Sequence, residues 1–136
     1  MKQLLITICL FSFSIITEGQ GSIGWTEQQI RDEYSVQKNT DIKVDYVSGQ
    51  RNIVVINNEA TASFNINTKT SLCDRSMIKF NKKELLTKYV EAFNNQYKII
   101  VKGNSWETML RGHLIKIEVR YLTKIQATCI VFYEVN

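Results

Sequence analysis

Phe80-Asn81-Lys82-Lys83-Glu84-Leu85 and, earlier in the chain, Trp25-Thr26-Glu27-Gln28-Gln29-Ile30 decide how this protein is built. Each stretch opens on an aromatic residue, continues with a residue able to cap a helix, and places Glu or Gln three positions later. A cap hydroxyl or amide oxygen accepts from the backbone N–H three residues on, and the Glu or Gln side chain reaches back to the cap's own N–H. Apolar residues flank each box, Trp25 with Ile30 and Phe80 with Leu85, at the positions of a hydrophobic staple. The pattern predicts two helices, one capped by Thr26 and one by Asn81.

Beyond each box the apolar spacing is helical. Ile30 and Tyr34 lie four residues apart on one face of the first, short helix. In the second, Leu85, Tyr89 and Phe93 form one row with Leu86 and Val90 beside it, while Lys82, Lys83, Lys88, Glu91 and Asn95 point elsewhere. The period then drops to two. After the first helix, Ile42, Val44 and Tyr46 alternate with Lys43 and Asp45, residues 52–56 form a compact apolar strand, and Ala60, Ala62, Phe64 and Ile66 alternate with polar residues. A less regular strand covers 72–80. After the second helix, strands are expected over 97–101, 106–110, 115–121 and 126–135, with turns at Gly103-Asn104, Arg111-Gly112-His113 and Thr123-Lys124. The chain contains no proline to interrupt a ladder. The expectation is an α+β domain of two αβββ-type halves, about 24–80 and 81–136, whose antiparallel sheet carries both helices on one face.

The N-terminus sets the compartment. Met1 and Lys2 precede an apolar run over residues 4–16 broken only by Thr7, Ser12 and Ser14, and Thr17-Glu18-Gly19 follows. This is the layout of a secretory signal peptide over residues 1–19, cut before Gln20. The run falls short of the ~20 apolar residues of a membrane span, so no transmembrane span is expected. Secretion or a periplasmic location follows, with a single domain over 20–136. The mildly basic net charge of +4 comes from interspersed charges. It lacks the dense basic, aromatic-interleaved patch of a nucleic-acid binder.

Cleavage leaves Cys73 and Cys129. Export favours a disulfide between them, closing a long loop worth about 4 kcal/mol in the chain-entropy model. The alternative is two separate buried thiols. With His113 the only histidine, the ligands for a zinc site are too few. No cofactor motif is present. His113 in an apparent turn has no local nucleophile or carboxylate partner, Asp32 and Glu33 diverge on a helix, and no nucleophile elbow or phosphate loop occurs. The chain therefore reads as a non-enzyme with no catalytic residues.

The last strand is apolar on both sides, with Cys129, Val131 and Tyr133 on one and Ile130 and Phe132 on the other. With helices on one face only, the second face is a candidate protein-binding surface, with Ile130 and Phe132 its candidate residues. Alternatively, a loop or the N-terminal segment covers that second face. A pocket between sheet and second helix, serving a small ligand or an enzyme, and a purely structural envelope component are the rival readings. A homodimer is compatible with any of them.

Tandem helix-plus-strand repeats resemble the beta-lactamase inhibitor proteins. A single such unit, with Gly24-Trp25-Thr26 opening a helix before a sheet, resembles the SmpA/OmlA-type outer-membrane assembly lipoproteins. The resemblance implies an inhibitor-like or envelope-assembly role. The lipidated cysteine that the lipoproteins carry directly after the leader has no counterpart here.

Overall fold

In a computed structural model, residues 21–135 are described; the leader expected over residues 1–19 lies outside them. Helix α1 (Glu27–Ser35) precedes strands β1 (Asp41–Val47), β2 (Gln50–Ile56), β3 (Ala60–Ile66) and β4 (Cys73–Phe80). Helix α2 (Lys83–Gln96) precedes β5 (Lys98–Val101), β6 (Ser105–Leu110), β7 (His113–Leu122) and β8 (Ala127–Val135). Each half is thus one helix followed by four strands, one strand more than the αβββ unit expected. The fold is α+β. All strands join one antiparallel sheet in the order β1-β2-β3-β4-β8-β7-β6-β5. This order reads as the same meander from either edge, and the halves meet where β4 pairs with β8.

The side-chain period of two carries one row of residues across every strand. Val44, Ile53, Phe64, Ser76, Phe132, Ile117, Trp106 and Ile99 are successive cross-strand partners. The central members of this row join Ile30 and Tyr34 of α1 and Tyr89 and Phe93 of α2 in one hydrophobic cluster, which places both helices on the same face. Tyr34 stacks on Phe64 at 5.6 Å. Phe93 meets Trp106 at 5.3 Å and Phe132 at 6.0 Å, both edge-on. The space between α2 and the sheet, where a ligand pocket was one alternative, holds these rings.

The chain enters this core directly. Gly21, Ser22 and Ile23 are buried, and a Cβ on Gly21 would stand 2.2 Å from Ser76 Oγ and 2.5 Å from the Phe132 ring. With φ at +65°, the position requires glycine on both counts. Gly24 N then donates to Cys73 O, and Cys73 N donates to Trp25 O, fastening the entry segment to the start of β4.

The two helix starts diverge. Thr26 Oγ1 accepts from Gln29 N at 3.2 Å and Gln29 Oε1 accepts from Thr26 N at 2.9 Å, so the first capping box is complete. The second is not formed. Helix α2 begins one residue later than expected, with Lys82 at the cap position and no side-chain cap bond. Asn81 is occupied by the β2–β3 turn: its backbone N donates to Glu59 O and its side-chain amide to Asn58 O.

Cys73 and Cys129 are both buried and both free. This corrects the expected disulfide. A disulfide needs Cα atoms within about 7 Å. Cys129 pairs with Lys79, which lies six residues along β4 from Cys73. At a rise of roughly 3.4 Å per residue, that offset alone far exceeds the limit. Cys73 also belongs to the core under the helices, whereas Cys129 alternates with the core residues Ile130 and Phe132 and takes the opposite face. Burial pushes the Cys73 thiol up to about 12 and raises that of Cys129. Both therefore stay protonated near neutral pH.

Candidate functional site

Ile130 and Phe132 do not form an open face. Both are 0% exposed in the core beneath the helices, because Ile130 pairs with Ile78 and Phe132 with Ser76 in the rows that α1 and α2 cover. A carboxylate at either position would unfold the domain rather than probe a surface. The face without helices is the one set by Cys129, Val131 and Tyr133.

That face is polar for most of its width. One row runs Asp45, Asn52, Asn65, Arg75, Tyr133, Lys116, Glu107 and Lys98 from edge to edge. The neighbouring row runs Lys43, Val54, Ser63, Met77, Val131, Glu118 and Ser105. The continuous apolar segment over 53–56 therefore divides, with Ile53 and Val55 entering the core and Val54 and Ile56 facing outward, partly exposed.

At the centre, where β4, β8 and β7 lie side by side, Val131 stands between Met77 and Glu118, and Cys129 between Lys79 and Arg120. Val131 and Cys129 are buried although no helix lies over them; their short side chains sit below the longer neighbours. Tyr133 lies between two guanidinium groups, Arg75 at 6.0 Å and Arg120 at 5.3 Å from its ring. Its hydroxyl donates to Glu118 Oε1 at 2.7 Å, and Arg120 Nε donates to Glu118 Oε2 at 2.6 Å. The bond to Glu118 raises the Tyr133 hydroxyl above its ordinary value. Burial draws the Glu118 carboxyl upward, but the bonds from Tyr133 and Arg120 outweigh it and hold the group below the usual range. The stack is thus fixed by hydrogen bonds on one side and leaves the Arg75 guanidinium with no ion pair among the described residues.

Towards the end of the sheet that carries the β1–β2 and β6–β7 hairpins, the open face becomes a trough of about 950 Å³. Its lining includes Asn52, Ser63, Asn65, Arg75, Met77 and Tyr133, with Arg111 and His113 at the β6–β7 end. Asp74 accepts from Asn65 at 2.7 Å and from Asn67 at 2.9 Å, and Glu134 pairs with His113. His113, expected to stand alone in a turn, opens β7 and has this carboxylate partner. Among the described residues, no serine, threonine or cysteine side chain bonds to the pair. Among the same residues, no three His, Cys, Asp or Glu side chains group as a cation site, and no helix is long and apolar enough to cross a membrane.

The sequence shows both apolar sides of β8, but the expectation placed the wrong one at the surface and passed over Arg75 and Arg120. The signal available is β3: Ala60, Ala62, Phe64 and Ile66 alternate with polar residues, which fixes the core side of its neighbours once the register is known. Comparison with protein-family models, with curated proteins and with solved structures finds no match for this chain.

Proposed function

We propose that this chain is an exported, non-enzymatic protein-binding domain that docks its partner on the open face of the sheet, centred on Tyr133. The observation that carries this reading is the Arg75–Tyr133–Arg120 stack, on the same face as Met77, Val131 and Cys129. Binding energy at protein interfaces concentrates in Tyr and Arg anchored over packed apolar groups, with Met also enriched. A preformed stack loses little side-chain entropy on association. Inhibition of a target protein and envelope assembly both make use of such a face.

The test is site-specific crosslinking in cells that produce the chain. A photo-reactive phenylalanine analogue in place of Met77 is expected to give a discrete protein adduct. The same analogue in place of Val36, exposed at the end of α1, gives none, and Tyr133→Ser abolishes the adduct at position 77 while leaving the thermal transition in place. Equal adducts from both positions, or an adduct indifferent to Tyr133, sink the reading.

A further inference from the structure

Resting on that docking surface, we infer the chemistry of its occupant: an extended protein segment presenting acidic, apolar and acidic side chains at alternate positions, in the order acidic-x-apolar-x-acidic. The three central strands place Arg75, Lys79, Lys116 and Arg120 on the open face with Glu118 and, at the trough end, Asp74, while Glu107 of β6 lies directly across from Lys116. Glu118 is already bonded to Tyr133 and Arg120. Asp74 is bonded to Asn65 and Asn67, and Arg75 and Lys79 make no salt bridge among the described residues, so these two cations keep charge that no ion pair takes up.

The spacing specifies the ligand. Arg75 and Lys79 lie four residues apart on β4, with Met77 midway on the same face. Val131 is directly across from Met77. A partner strand running along β4 and β8 rises by the same roughly 3.4 Å per residue. Carboxylates four residues apart on it therefore meet Arg75 and Lys79. The side chain midway between them then rests on Met77 and Val131. Arg75 offers a planar donor fork to the first carboxylate, already oriented by Tyr133.

The probe is a fluorescein-labelled Ser-Glu-Ser-Val-Ser-Glu-Ser peptide, titrated by anisotropy, with a Gln-for-Glu peptide as comparison. The Glu peptide is expected to bind and the Gln peptide to lose binding. Arg75→Gln with Lys79→Gln should weaken it about tenfold. Lys83→Gln with Lys88→Gln, the same charge change on exposed positions of α2, should leave it within about twofold. Equal binding of the two peptides, equal loss in the helix variant, or no anisotropy change at millimolar peptide overturns the inference. So does sedimentation with phosphatidylglycerol vesicles that disappears in the Arg75/Lys79 variant, which assigns the patch to a lipid surface. If the adduct at position 77 persists while the peptide fails, docking stands and only the acidic chemistry falls; loss of both removes the site.

Discussion

Helix α1 starts on a reciprocal pair of hydrogen bonds between Thr26 and Gln29, and its first-turn carboxylate, Glu27, receives Arg31 at 3.0 Å and Arg51 of β2 at 2.8 and 3.1 Å. Helix α2 starts on Lys82 with no side-chain bond. Its hold on the sheet is a chain of rings, in which Tyr89 meets Phe80 at 4.7 Å and Phe93 meets Tyr89, Tyr97, Trp106 and Phe132. The two halves share an order of elements but not a means of fixing their helices. Polar end-contacts dominate in one and aromatic packing in the other. A helix of nine residues has little face to bury and benefits more from its ends; one of fourteen can rely on its apolar side.

This contrast ranks the substitutions that test it. Phe93→Ala should cost about 3–5 kcal/mol, because four rings lose their common partner and a cavity remains. Chemical denaturation measures this, and a loss below about 1 kcal/mol would show that the rings do not hold α2. Thr26→Ala removes the formed cap and should cost about 1 kcal/mol. Asn81→Ala should leave the helicity of α2 unchanged in circular dichroism, since its side chain serves the β2–β3 turn instead.

Acid should act on the first half. Arg51 above all, with Arg31, holds the Glu27 carboxyl at about 2 against an ordinary 4.5, although its partial burial pulls the other way. A depressed carboxylate stabilises the fold above its unfolded value, and that contribution disappears as pH falls from about 4.5 towards 2. Solvent screening limits it to roughly 0.5–1 kcal/mol, so Glu27→Gln should flatten the acid limb of the stability profile by no more than that. The smallest effect is a gain. Lys82 has the extended backbone of a cap position. Lys82→Ser puts a capping hydroxyl there and should stabilise by about 0.5 kcal/mol. No gain would mean that the rings already determine where α2 begins.

Periodicity makes the helices, the strand alternation and the single-faced helix layer legible. It cannot say that Asn81 has a competitor for its hydrogen bonds, because Asn58 and Glu59 are more than twenty residues away in sequence. It cannot choose a face for β8, where both sides are apolar and only the register against Ile78 and Ser76 decides. Composition and compartment suggest a bond between Cys73 and Cys129. Their separation, on opposite faces of the sheet and most of a strand apart, is a property of the β4–β8 pairing that no count of cysteines contains. Titration of the unfolded, unreduced chain over residues 20–136 should therefore find two reactive thiols, and none would contradict the register. The Arg75–Tyr133–Arg120 stack is hidden for the same reason, since its members come from three strands.

The bare α-carbon at position 21 has a practical corollary for anyone trimming or tagging this protein. With Ser76 and Phe132 pressed against it, a purification handle joined directly ahead of Ser22 would drive its own last side chain into the central strands, and a protease that nibbles past Ile23 would unplug the interior. Recombinant versions should begin upstream of Gly21 and keep that glycine.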